Sequence, residues 1–225
     1  MMATLAQLEA ALDALLDHPA GLKHYQLVRS VEEKAYEAYV FGLCLQAVRS
    51  LSVTPVLHGI AGTPAPFIFR GAPGQIHSTH RNYGYARFTL ERQTFEIHCG
   101  VEYKGTSKMT HEIDVCVMKA EESDACRRNP DDPKAASVVA AWECKFYSSS
   151  LSKSLGRAFV GLIADIGTNY RTAGLCSNIA HQGLKNYLAL KHRPDAHFEL
   201  SPLFPKNEEL FVNDLASALR KMVGG

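Results

Sequence analysis

A chain of 225 residues with 46% apolar side chains can bury a substantial core, and its modest charge density excludes a mainly disordered protein. The 24 basic and 23 acidic side chains leave a net charge of +1, which excludes a general polyphosphate coat and confines any nucleic-acid site to a local patch. The longest charge-free run, residues 50–69, contains Pro55, Pro64, Pro66, Gly59 and Gly62, so no membrane-spanning helix is expected there.

Residues 3–17 set apolar positions among Glu9, Asp13 and Asp17, which predicts an acidic amphipathic helix rather than a secretory leader, broken by Pro19 and Gly21. A second helix is expected over residues 31–51, from the spacing of Val31, Ala35, Tyr39, Leu43, Ala47 and Leu51, with Ser30 and Glu33 as a capping box. Residues 52–85 are rich in Pro, Gly and His and read as irregular, with one short strand at 66–70. Strands follow at 86–90, 94–103 and 112–118, the last alternating Ile113, Val115 and Val117 with Asp114 and Cys116. Residues 119–134 are polar and read as a surface loop, with Arg127 and Arg128 solvated.

The apolar run at 137–146 predicts a central strand. A helix over 152–166 closed by Gly167, a strand at 172–180, a helix at 182–190, a short strand at 197–200 and a helix at 208–223 complete the chain. This order indicates an α/β architecture, a mixed sheet with helices on its faces. One domain is expected: residues 1–29 as a helical extension, 30–180 as the core and 181–225 as a closing helix–strand–helix. The six cysteines (Cys44, Cys99, Cys116, Cys126, Cys144 and Cys176) contain no CxxC pair, and a reduced cytoplasmic protein is expected.

One constellation carries chemistry. Asp114 lies in the strand EIDVCVM, and Glu143 and Lys145 lie in the next as Glu-Cys-Lys. Side chains at i and i+2 of a strand share a face, so Glu143 and Lys145 project together while Cys144 turns away. Pairing of the two strands would bring Asp114 beside Glu143. Charges in a central strand are costly unless paired or metal-bound, and a divalent cation lets two adjacent acids both stay ionised. Such a cation polarises a phosphoryl oxygen, and a nearby lysine orients water or steadies charge on phosphorus. The parts suit metal-assisted phosphodiester hydrolysis; a structural cross-strand salt bridge is the alternative.

The motif Asp114…Glu143-Cys144-Lys145, between an upstream and a downstream helix, resembles the PD-(D/E)XK, or restriction-endonuclease-like, nuclease superfamily over about residues 30–180. Ile113 stands where that motif has proline, and the 29-residue step from Asp114 to Glu143 is wider than a tight hairpin needs. The resemblance implies a core of helix, three antiparallel strands, helix and strand. It implies Mg²⁺ or Mn²⁺ bound by Asp114, Glu143 and the backbone carbonyl of Cys144, with Lys145 positioning the attacking water. Tyr36-Glu37-Ala38-Tyr39-Val40 matches the family's helix context, which implies Glu37 as a further metal-side carboxylate and Glu33 as the alternate. Lys153 and Arg157 become candidate phosphate contacts. His111 and Glu112 flank the site; Glu112 shares the strand parity of Asp114 and is expected to point to solvent at the strand start, with a place at a second metal as the alternative.

By analogy with restriction and antiviral-defence endonucleases of prokaryotes, a DNA substrate and a homodimer or an activating partner are expected. The alternatives are an inactive nuclease-like binding or assembly subunit, or a nuclease acting on RNA or branched DNA. The basic and aromatic run Phe69, Arg70, His77, His80, Arg81 and Tyr83 suits phosphate or base faces, with Arg70, His80 and Arg81 as contacts and a turn-rich loop as the alternative. His77 and His80 lack the partners of a zinc site. Gly105-Thr106-Ser107-Lys108 lacks the spacing of a phosphate loop, and Ser148–Ser150 read as a linker with caps.

Overall fold

A computed structural model describes residues 2–16, 25–27, 31–59, 67–79, 83–148, 152–167, 173–190 and 194–224, with the backbone alone for residues 25 and 26. Helix α1 (Leu5–Leu15) starts at a capping box in which Thr4 and Gln7 satisfy each other's backbone N–H groups. Its Leu8 and Leu12 are fully buried, one turn apart, and they belong to the same apolar cluster as α2 (Glu32–Arg49). Helix α2 is buried on nearly every side from Ala35 to Val48, as expected for a helix apolar all round. A Cβ on Gly42 would meet the Leu15 side chain at 2.9 Å, so that glycine permits the close approach of α1. The N-cap of α2 is Val31, without a side-chain cap; the expected cap residue, Ser30, lies outside the described residues.

Strands β1 (Tyr25–Leu27) and β3 (Phe67–Phe69) pair in parallel as a small separate sheet. The main sheet has seven strands in the order β2 (Val56–Gly59), β4 (Gly84–Leu90), β5 (Gln93–Lys104), β6 (Thr110–Lys119), β7 (Val138–Lys145), β8 (Ala173–Ser177) and β9 (Asp195–His197). The first four junctions are antiparallel and the last two parallel. Helix α4 (Lys153–Ile166), capped by Ser152 and ended by the left-handed Gly167, makes the crossover from β7 to β8. Helix α5 (Gln182–Leu188) makes the next crossover, to β9, and α6 (Pro205–Val223) closes the chain. The α/β class and mixed sheet expected from the element order are present.

Three expectations need correction. Strands β1 and β2 fall where no strand was expected; both are short, at three and four residues, too few for a period to register. Residues 119–134 are not a loop: α3 (Ala120–Arg128) occupies the first part, burying Ala120, Ser123 and Cys126, and one 3-10 turn (Ala135–Ser137) leads into β7. Arg127 is not solvated. It binds Glu96 at 2.6 Å and Asp124 at 2.9 Å, and Glu96 also binds Arg87 and the ring of His98. Glu96 is fully buried, and its cost is met by those partners.

The sheet separates two apolar clusters. One holds α1, α2, α6 and side chains such as Ile97, Cys99, Val115, Val117 and Trp142; the other holds Val101, Tyr103, Ile113, Cys116, Ala141 and the inner faces of α4 and α5. Ile113 and Val115 therefore face opposite clusters, although strand alternation predicts one face for both. All six cysteines are free and buried. Among the described residues no helix is long and apolar enough to cross a membrane.

Candidate active site

The reversal of faces occurs at one position. In the β5–β6 ladder, Cys99 pairs Val115 and Val101 pairs Ile113, which leaves Gly100 opposite Asp114. Gly100 has φ +58°, a conformation that costs other L-residues and that turns the strand over. On the other side, the β6–β7 pairing ends at Val115 with Trp142. One step further the Asp114 carboxylate replaces the ladder: its Oδ2 accepts the Cys144 N–H at 2.7 Å and faces Lys145 Nζ at 3.4 Å. Lys145 Nζ also binds Glu143 Oε1 at 2.6 Å. Asp114, Glu143 and Lys145 thus meet as the strand pattern predicts.

Helix α2 brings Glu37 to the same place. Tyr36 donates to the Leu200 carbonyl at 2.9 Å and Tyr39 binds Glu208 of α6 at 2.5 Å, so the residues flanking Glu37 lock the helix in rotation. Glu37 is buried and Glu33 is exposed, which selects Glu37 of the two. Both Glu37 oxygens bind Lys34 Nζ, at 2.7 and 2.9 Å. Lys34 had no place in the sequence reading; its i, i+3 spacing from Glu37 was the available signal. Glu112, expected in solvent, is half-buried, and its Oε1 is buried without a hydrogen-bond partner among the described residues.

The electrostatics follow from this crowding. Burial, then the charge of Asp114, pushes the Glu37 carboxyl up to about 8 against the pull of Lys34. Burial and Asp114 raise Glu143 and Glu112 in the same way, opposed by Lys145 and Lys34. Burial alone would lower Lys145, but Asp114 and Glu143 overcome it and hold the ammonium well above the usual lysine value. With all four carboxyls ionised, two ammoniums would leave the cluster two positive charges short; burial and that shortfall are why Glu37 holds its proton so strongly.

That deficit, together with the orphaned Glu112 oxygen and an all-oxygen donor set, fits a hard divalent cation. Among the described residues no three His, Cys, Asp or Glu side chains converge as a ready-made ligand set. The reason is local: Glu37 is turned to Lys34, Glu143 to Lys145, and Asp114 to the Cys144 N–H. A cation would have to take over from the ammoniums.

The remaining expected residues divide. Lys153 and Arg157 are exposed on α4, one turn apart. Arg70 is corrected: it is only 6% exposed, donates to the Gln75 carbonyl at 3.0 Å and stacks over Tyr83 at 4.1 Å, so its guanidinium holds a loop together. His80 and Arg81 lie outside the described residues. Glu143 and His111 line one open cleft of about 340 Å³ against Leu155, Phe159 and Leu162 of α4. Compared with protein-family models, curated proteins and solved structures, the chain matches none.

Proposed function

We propose that this chain is a metal-dependent nuclease with a restriction-endonuclease-like core, hydrolysing DNA phosphodiester bonds. The observation that carries the reading is the meeting of Asp114 from β6 with Glu143 and Lys145 from β7, beside the buried Glu37 of α2. The order α2, β5, β6, β7, α4, β8 supports it, because it repeats the helix, three antiparallel strands, helix and strand that the resemblance implies.

Asp114, Glu143, Glu37 and the Cys144 carbonyl would hold Mg²⁺ or Mn²⁺, which when bound polarises a phosphoryl oxygen and lowers the pKa of water. Lys145, kept protonated by its two acids, orients the attacking water and balances charge building on phosphorus. The Asp114 bond to the Cys144 N–H fixes the carboxylate against β7, so the separation of the two acids is set by backbone. Lys153 and Arg157, exposed on α4, would meet DNA phosphates. A net charge of +1 supplies little general affinity for duplex, so the proposal includes a second copy of the chain or a partner that delivers it, in a cytoplasmic defence setting.

One observation favours the rival reading of an inactive binding or assembly subunit: both Lys34 and Lys145 are ion-paired with the acids that would bind the metal. The two readings separate in one experiment. Plasmid, single-stranded DNA, RNA and a branched junction are incubated with Mg²⁺ or Mn²⁺ and wild-type, Asp114→Asn or Lys145→Ala protein. Metal-dependent cutting of DNA that both substitutions abolish is expected. Cutting that survives both puts the chemistry elsewhere, and a folded wild type that neither cuts nor binds Mn²⁺ by calorimetry is the subunit.

A further inference from the structure

Asp165, in the last turn of α4, accepts hydrogen bonds from Thr106 Oγ1 at 2.9 Å, Ser107 N at 2.7 Å, Ser107 Oγ at 2.6 Å and His111 Nε2 at 2.5 Å. A Cβ on Gly105 would stand 2.2 Å from Asp165 Oδ2, so only glycine lets the 105–108 turn close around this carboxylate. The bonds from Ser107, with those of His111 and Thr106, hold Asp165 well below the usual carboxylate range, and it stays an acceptor. His111 Nε2 therefore carries its hydrogen toward Asp165. Among the described residues Nδ1 has no partner, and His111 lines the cleft that Glu143 also lines.

A second observation lies beside this pair. Tyr103 pairs with His111 across β5 and β6, its ring centroid 5.9 Å away. The Tyr103 hydroxyl is buried without a hydrogen-bond partner among the described residues, and both Asp165 and Glu143 act on it electrostatically. Across the cleft, no described residue apart from its chain neighbours and the backbone of α4 lies within 4 Å of where a Gly161 Cβ would stand. The clamped imidazole, the open side of Gly161 and the Glu143 carboxyl line one cleft.

We propose that His111, aimed by Asp165, is a further catalytic residue that donates its Nδ1 proton to the leaving oxygen of the cleaved phosphodiester. The inference rests on the nuclease reading and deepens it. Water adds to phosphorus as the bond to the leaving oxygen breaks; that oxygen departs with the electron pair and takes the proton from Nδ1. The proton released by the attacking water passes to solvent, from which the imidazole is restored. One phosphodiester and one water become a phosphomonoester and an alcohol. Asp165 is the positioning residue: it selects the tautomer and steadies the ring as it gains and loses charge.

The test uses an oligonucleotide whose cut site, mapped with wild-type protein in Mn²⁺, carries a bridging sulfur in place of the leaving oxygen. A thiolate departs without a proton. His111→Ala and His111→Gln should slow the oxygen substrate about 10²–10⁴-fold in kcat while cutting the sulfur substrate close to the wild-type rate. Equal slowing on both substrates, or none on either, overturns the proposal. Wild type that cuts neither substrate and binds no Mn²⁺ by calorimetry rejects the nuclease reading itself, before any variant is compared. Nitrogen NMR of the free protein, without metal or DNA, gives a readout independent of turnover. Neutral His111 should carry its hydrogen on Nε2 and lose that preference in Asp165→Ala; the opposite tautomer in wild type overturns the assignment.

Discussion

Gly100 and Asp114 stand opposite each other in the β5–β6 ladder, and the two faces of the sheet exchange residues across them. The left-handed backbone of Gly100 turns β5 over, and Asp114 takes the corresponding place on β6. Its carboxylate then reaches the backbone of β7 instead of projecting into either apolar cluster. A charged side chain is thereby set into a central sheet at a step where regular alternation fails.

Gly100→Ala should cost about 1–2 kcal/mol, the penalty for an L-residue held at left-handed φ. Its Cβ would also sit 3.4 Å from the Arg70 Cβ. The urea midpoint reads the loss. A variant as stable as wild type would show that the strand reaches its reversed faces without that conformation.

Asp114→Asn and Asp114→Ala should differ in stability and agree in activity. The asparagine side-chain oxygen can still accept the Cys144 N–H, whereas alanine leaves that buried donor unmet, at about 1–3 kcal/mol. Both should abolish Mn²⁺ binding and cutting. Parallel urea melts and calorimetry check this, and equal stability of the two variants would mean the Cys144 bond contributes little.

Addition of Mn²⁺ should stabilise the folded chain. At a hundredfold excess over Kd the gain is about 2.7 kcal/mol, which corresponds to a Tm rise of roughly 5–10 °C for a domain of this size. Glu37→Gln should shrink the rise and Asp114→Asn should remove it. A thermal scan with and without the ion, at constant ionic strength, makes the measurement. A wild-type Tm that ignores Mn²⁺ counts against the metal site whether or not the protein cuts DNA.

Glu96 gives the pH dependence. Burial alone would raise its carboxyl, but His98 and Arg127 pull it well below the ordinary range. Its folded value is depressed, so its contribution to stability is complete above the unfolded value of about 4.3 and is lost as pH falls below that. Glu96→Gln leaves Arg87 and Arg127 without their buried anion and should cost about 3–5 kcal/mol at pH 7. The gap between the two proteins should narrow steadily from pH 5 to pH 3 in urea titrations. A constant gap would mean that Glu96 is not the group whose protonation matters.

Most long elements were legible because their patterns are local. The buried helix over 32–49, the strands over 93–104 and 110–119, and the crossover helix over 153–166 each repeat an apolar period long enough to be read. Helix α3 was not, because mean polarity hides a stripe of Ala120, Ser123 and Arg127 that is used against the sheet and Glu96. Strands β1 and β2 were too short to show any period.

The candidate site divides along the same line. The spacing Glu143-Cys144-Lys145, the strand pattern around Asp114 and the helix context of Glu37 are each properties of neighbours in the chain, and together they were enough to nominate four residues. By itself the sequence determined a chain with a core, a mixed α/β order and two strands carrying opposed charges. Only the tertiary structure decided that Glu37 rather than Glu33 faces Asp114, that Lys34 joins them, that Arg70 is a buried brace, and that Asp165 clamps His111. The physical reason is mostly distance along the chain: Glu37 meets Asp114, Arg70 stacks on Tyr83 and Asp165 binds His111 between segments far apart in sequence. The Lys34–Glu37 pair is local but placed by a helix rotation set elsewhere. Local period carries no record of either.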